Sequence, residues 1–426
     1  MNLILGEYVD NARAKETIEN IGELVLASRA LPPLSRDAVI RAADRVSRSL
    51  NEQEHLPLLT ALGMTPEKAK KELAYARFIT SRDYLTSRLI REFGGTEDGR
   101  FTPYGENSPV RMQWQPLGVI MHISAGNTDA LPVFSVLEGL LTGNINILKL
   151  PGEGDALSLP ILRMLMDAES AIEKYVFAFD LPSSDIDSMK KLASVSDAVV
   201  VWGGDEAVRS VRTLAQPDTR IIEWGHKVSF AYVSGEAKDS QLEGLCENIC
   251  DTDQLLCNSC QGVFLDTDDF SEVCRFAERF ACVLERVSRR AGGVLNPRVT
   301  AQKTLELYTE ELEAEPDTER IFRKDGCAVV ALNSSELASS LMFRNPWVRP
   351  LKRENMLREL SKYKSHLSTA CLICGDGERA ELENLLIRAG IVRITSGKRM
   401  SEGFCGAPHD GELALRRYMK LVTYEY

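Results

Sequence analysis

Between residues 117 and 223 short β-type runs alternate with helical patterns, and this alternation limits the possible fold more than any other feature. Strand-like runs at 117–123, 145–150, 175–179, 198–202 and 220–223 are separated by helical spacing at 131–141, on to 166, 186–195 and 206–214. Strands joined by helices pair in parallel and build a doubly wound α/β sheet. Ligands of such sheets bind beyond the carboxyl ends of the strands. The residues to inspect are therefore Ser124 to Asn127, Lys149 to Gly154, Gly203-Gly204 and Glu223. No Gly-x-Gly-x-x-Gly follows the first strand, so the usual dinucleotide fingerprint is absent. Gly203-Gly204, between a strand and a helix, still lets a pyrophosphate approach backbone N–H groups, although an ordinary glycine turn reads the same way.

The flanks of this region differ in kind. Residues 11–93 read as helices, the last covering 66–93 and stopping at Gly94-Gly95. The stretch 96–116 is rich in Gly, Pro and Asn and reads as an extended excursion or hairpin. A second α/β portion opens at Ser229, with helices at 270–290 and 300–312 and strands at 327–332 and 368–374. The acidic run 310–319 reads as a solvated helix end and loop.

Within this second portion lies Asp253-Gln254-Leu255-Leu256-Cys257-Asn258-Ser259-Cys260-Gln261-Gly262, between a helical run ending near Leu256 and the strand-like 262–265. A cysteine at such a junction can expose its sulfur in a cleft and turn its own N–H toward a developing oxyanion. Buried thiols of a packed core look the same in sequence. Two Cys-x-x-Cys pairs, Cys257/Cys260 and Cys371/Cys374, raise zinc, but most of a domain separates them, unlike a zinc ribbon.

The net charge of −11 and the lack of a basic stripe exclude a polyanion such as nucleic acid as the expected partner. No apolar run reaches the ~18 residues that span a bilayer. The first residues have neither the basic start nor the long apolar run of a signal peptide, so the expected location is cytoplasmic. The ten cysteines then read as reduced thiols.

Taken together, Ile123-Ser124-Ala125-Gly126-Asn127 with Gly139 to Asn144 and Lys149, the Cys257 stretch, and Pro408-His409-Asp410-Gly411 resemble the aldehyde dehydrogenase superfamily. Within it the chain resembles the LuxC-type acyl-CoA reductases, from about 114 to 426. The resemblance implies an aldehyde dehydrogenase-like α/β fold. A Rossmann-type cofactor-binding domain would take 1–96 and 115–228, a catalytic domain 229–405, and a small bridging or oligomerisation element 97–114 and 406–426. It implies Cys257 as nucleophile, Asn127 as the oxyanion-hole amide and Glu223 as the general-base glutamate, with His226 in place of a glycine. The cofactor residues it implies are Ser124 in the loop after the first strand, Lys149 on the adenosine ribose, and Gly203-Gly204 beside the pyrophosphate. Gly152 leaves room for a 2′-phosphate, which favours NADPH over NADH; Glu153 opposes this if it turns inward. Cys260 stands where the LuxC-type pattern has proline and is a rival thiol, and His409 is either a loop hydrogen-bonder or a catalytic group.

The implied activity is NADPH-dependent reduction of a long-chain fatty acyl-CoA or acyl thioester to aldehyde through a Cys257 acyl-enzyme. The alternatives are a hydrolytic NAD(P)-dependent aldehyde dehydrogenase, for which Glu223 is essential, and a catalytically silent acyl-binding or scaffold subunit. The expected partners are fatty acyl-CoA or an acyl donor protein, an acyl-protein synthetase-like subunit, and further copies of the chain in a homo-oligomer.

Overall fold

A computed structural model describes residues 1–426 apart from 106–107, 127–128, 153–154, 293–296 and 426, and apart from the side chains of 297–299. The described residues form two units, Met1–Gly225 with Phe404–Tyr426, and His226–Gly403. The second begins at 226 and ends at 403, where the sequence placed a domain at 229–405, and 97–114 and 406–426 belong to the first unit.

The first unit opens with β1 (Asn2–Ile4) and β2 (Glu7–Val9), a tight hairpin turned at Leu5-Gly6, where both residues have positive φ. Strands this short carry no readable alternation, and the sequence showed nothing there. After the N-terminal helices come β3 (Phe101–Pro103) and β4 (Arg111–Pro116), an antiparallel pair where an excursion or hairpin was expected. The main sheet continues with β5 (Val119–Ile123), β6 (Ile145–Lys149), β7 (Val176–Phe179), β8 (Ala198–Trp202) and β9 (Arg220–Trp224). Its order is β2-β1-β7-β6-β5-β8-β9, with β5 to β9 parallel and the β1–β2 hairpin antiparallel at one edge. β6, β7 and β8 are buried throughout, as strands covered by helices on both faces must be. The order reverses at β5, with β6 on one side and β8 on the other, so the ligand crevice of such a sheet falls at the ends of β5 and β8.

The stretch 66–93 is not one helix but two, Pro66–Thr80 and Arg82–Phe93. Ser81 has extended backbone and its hydroxyl accepts from the Tyr84 N–H, so it breaks the first helix and caps the second. Gly94, at φ 77°, ends the second.

The second unit carries β10 (Val228–Val233), β11 (Cys260–Leu265), β12 (Glu319–Lys324), β13 (Cys327–Leu332), β14 (Trp347–Pro350), β15 (Leu367–Ile373) and β16 (Arg393–Thr395), in the order β12-β13-β14-β11-β10-β15-β16. All pairs are parallel except β12 with β13. Alternate residues of β10 serve two cores: Ala231 and Val233 pack with the helices Asp239–Thr252 and Phe270–Arg290, Phe230 and Tyr232 with Arg353–Leu360 and Arg379–Ala389. β12 begins in the run read as an acidic loop, and its hairpin with β13 decides it against the local charge pattern.

The last strand, β17 (Met419–Tyr424), returns to the first unit and pairs with β4 in the small sheet β17-β4-β3. Just before it, fully buried Tyr418 donates its hydroxyl to Glu138 at 2.8 Å, and Arg88 reaches the other Glu138 oxygen at 2.6 Å.

Candidate active site

Cys257 sits on a loop whose backbone is held from both sides. The preceding helix ends at Thr252, four residues earlier than its apolar pattern suggests, because Asp253 and Gln254 take left-handed backbone conformations at φ 48° and 62°. Two consecutive non-glycine residues in that region are costly and persist only where surrounding bonds over-determine them. Here the Gln254 amide donates to the Cys260 carbonyl at 2.9 Å and accepts the Asn345 N–H at 2.9 Å, while Gln261 donates back to the Gln254 carbonyl at 2.8 Å. The Asp253 carbonyl accepts the Phe343 N–H from a second strained turn, Met342-Phe343-Arg344, where all three φ are positive.

Around the thiol itself, the Ser229 hydroxyl on β10 donates to the Cys257 carbonyl at 2.8 Å and accepts the Thr369 N–H of β15 at 3.0 Å. On the other side Ser401 donates to the Asn258 carbonyl at 3.2 Å, and Asn248 ties both Ser401 and the Cys260 N–H. The backbone is thus pinned at the amino end of the second sheet while the Cys257 side chain is exposed. Cys260 is the opposite case. It is fully buried, its thiol donates to the Gly262 carbonyl at 3.3 Å, and burial pushes its pKa far up, so it stays a neutral core thiol. In the second Cys-x-x-Cys pair Cys371 is likewise buried, with its pKa pushed up to about 12 by desolvation.

At the carboxyl edge of the first sheet, Ser124 follows β5 and is buried, its hydroxyl turned to the Ala125 carbonyl at 3.3 Å. Asn127 and Glu153 lie outside the described residues. Lys149, the last residue of β6, is buried and donates to the Ser183 hydroxyl at 3.2 Å; burial lowers its pKa, partly offset by Asp180. A side chain added at Gly152 or Gly204 would meet open space, whereas one at Gly203 would press on Ala207 at 3.0 Å. Gly204 also brings no side chain to the start of the helix Asp205–Leu214.

Glu223 lies on β9, half-buried, with its carboxylate paired to the Arg212 guanidinium. His409 packs edge-on against Trp202 and Trp224, with ring centroids 5.1 and 4.6 Å away. Two groups escaped the sequence reading. Arg212 lies in the helical stretch 206–214, where nothing in the spacing set it apart. Asp129, nearly fully buried, accepts backbone N–H groups from Ala156 and Leu157, a contact that no local spacing announces.

No helix among the described residues is long and apolar enough to cross a membrane. Among solved structures the chain is similar to a salicylaldehyde dehydrogenase from Pseudomonas putida G7 (TM-score 0.75, 13% identity, covering 100% of this chain and 98% of that one). It is also similar to an NAD-dependent benzaldehyde dehydrogenase from Corynebacterium glutamicum (TM-score 0.68, 15% identity, 100% and 98%). The fold is therefore that of the aldehyde dehydrogenases. In sequence it is similar to a long-chain acyl-protein thioester reductase from Aliivibrio fischeri (22% identity, 86% of this chain, 76% of that protein). It is similar to one of the same name from Vibrio harveyi at 29% identity over 50% of this chain, a match that spans 46% of that relative's length. The family model described as acyl-CoA reductase (LuxC) matches residues 31–421, so the chain belongs to the LuxC acyl-CoA reductase family.

Proposed function

We propose that this chain reduces a fatty acyl thioester to the aldehyde with NADPH, through an acyl group carried on Cys257. The carrying observation is that, within the Cys257/Cys260 pair, one thiol is exposed on a backbone-pinned loop and the other is sealed in the core. Membership of the LuxC family supports reduction of an acyl thioester, and its similarity to long-chain acyl-protein thioester reductases supports a protein-borne acyl group as donor beside acyl-CoA.

The chemistry suits these residues. The Cys257 thiolate attacks the thioester carbonyl, a new C–S bond forms as the bond to the donor sulfur breaks, and the donor leaves as a thiolate that takes up the proton Cys257 had lost, one thioester replacing another of similar energy. The Asn127 amide is assigned to the oxygen of the tetrahedral intermediate, where one donor is typically worth ~10²–10³ in rate. The dinucleotide, when bound, supplies a hydride to the acyl carbon. With a proton this leaves a thiohemiacetal on Cys257, which collapses to aldehyde and free thiol. The carboxyl edge of the first sheet suits such a group: Lys149 for the ribose, open space at Gly152 for a 2′-phosphate, and Gly203-Gly204 at a helix start for the pyrophosphate. Asp205 and Glu206 in the first turn of that helix oppose the phosphates.

Hydrolysis of the acyl-enzyme is the competing outcome, and it needs Glu223 to activate water. The pairing of Glu223 with Arg212 supports the reductive reading, because a carboxylate oxygen engaged by a guanidinium has to leave that partner before it can face a water. Incubation with a fatty acyl-CoA followed by intact-mass measurement tests the proposal. The chain should gain one acyl mass that Cys257→Ala lacks, and NADPH should discharge it as aldehyde. Free acid as the main product would favour the hydrolytic enzyme, and an acyl mass retained in Cys257→Ala or never formed would sink the proposal.

A further inference from the structure

Three carboxylates converge where the loops leaving β5 and β6 approach each other. Asp129, 1% exposed, accepts from Leu157 N at 2.7 Å and from Ala156 N at 3.0 and 3.2 Å, and its carbonyl accepts the Ser158 hydroxyl at 3.3 Å. Asp155 caps the Ser158 N–H at 3.0 Å, and burial, with the Asp129 carboxylate beside it, raises its pKa to about 7. From the helix Pro66–Thr80, Glu72 accepts the Asp129 backbone N–H, with Lys68 nearby. One buried side chain thus ties a residue five beyond Ser124 to residues just past Gly152, loops assigned above to the dinucleotide.

We propose that Asp129 is a positioning residue for the dinucleotide, a clasp that sets the gap between the loop leaving β5 and the loop leaving β6. The inference rests on the reading that a nicotinamide dinucleotide is the reductant. A plain helix cap would explain the two accepted N–H groups alone. It does not explain why the cap comes from the loop of another strand and is itself held by Glu72 and Asp155. Short carboxylates set short gaps, and lengthening one by a methylene moves what it holds.

The experiment is NADPH titration of the full chain, read by fluorescence without acyl substrate, for the wild type, Asp129→Asn, Asp129→Glu and Asp129→Ala, alongside hydrogen exchange of the 150–158 backbone. Asn keeps one oxygen for Ala156 and Leu157 and can donate to Asp155, so its Kd should stay within about threefold of wild type. Glu keeps the cap chemistry but widens the gap, and Ala opens it. Both should raise the Kd about tenfold or more, and Ala should also lose exchange protection at Ala156 and Leu157. If Ala does not fold, Glu carries the test. A Glu variant with wild-type Kd, or an Ala variant that keeps its Kd while losing protection, would make Asp129 a plain cap and overturn the clasp. A wild-type chain that binds neither NADPH nor NADH would overturn the functional reading, and the clasp with it, before any variant is compared.

Discussion

Gly262 shows how one residue position settles a core. It lies on β11 directly against Trp347 of β14, and a Cβ there would fall 2.1 Å from the indole ring. Trp347 cannot yield easily, because its N–H is bound to the Ala338 carbonyl at 2.9 Å and its ring packs on Phe264 at 4.7 Å. Gly262→Ala should therefore cost roughly 1–3 kcal/mol or more from overpacking. It should also loosen the Cys257 loop, since β11 begins only three residues after that cysteine. Urea unfolding checks the cost, and a variant as stable as wild type would mean the strands separate freely here. The sequence showed Gly262 only as the end of a cysteine motif. That its missing side chain makes room for a tryptophan 85 residues later is a fact of pairing, not of local pattern. The same holds for Cys257 and Cys260, equivalent thiols in sequence, which differ because one precedes the strand and the other starts it.

At the scale of elements, β5 carries a buried polar residue that its neighbours had to accommodate. His122 is fully buried between the Ser135 hydroxyl at 2.7 Å and the Asn146 side chain at 3.0 Å, and Gly139 leaves the space that Asn146 fills. Burial lowers the His122 pKa to about 4, against an ordinary value of 6.5. The unfolded chain therefore takes up this proton below pH 6.5 and the folded chain only below about 4. Stability from the neutral ring is present above 6.5 and is lost as the pH falls, by about 3 kcal/mol in all. His122→Gln should remove that loss, so that wild type and variant diverge by about 3 kcal/mol between pH 7 and 4 in urea titrations. Curves that stay parallel would show the ring to be charged when folded. Glu92 and Asp155, both raised to about 7 by burial, act with the opposite sign. The folded chain holds their protons more tightly, so they cost stability as the pH climbs toward 7. Comparison with the variant isolates the histidine from them. Element identity was legible wherever an apolar run was long: 131–141, 198–202, 270–290 and 327–332 match the structure residue for residue. It failed for β1, β2, β12 and β14, short or charged strands that exist because a neighbour pairs with them.

At the scale of the whole molecule, the chain leaves its first unit at Gly225, builds the second from a continuous segment, and returns at Phe404. The cores respect that division: the first unit's core includes Ala414, Leu415 and Tyr418, and both cores of the second lie within 226–403. A chain ending at Gly403 should lose several kcal/mol in its first unit, because it loses buried Tyr418 and strands the buried Arg88–Glu138 pair without its phenol. Segment 226–403 should keep a cooperative unfolding transition and its slow hydrogen exchange. Equal loss in both units on truncation would show a single cooperative core. What the sequence determined unaided was the class of fold, since alternating apolar runs of strand and helix length admit little besides parallel sheets covered on both sides. The motifs that carry the family resemblance lie at or near the ends of strands and helices. Only the tertiary structure decided which thiol is exposed, what holds Glu223, and that Asp129 joins two loops. Those outcomes depend on groups from 11 to 143 residues apart coming into contact, and no local spacing encodes that distance.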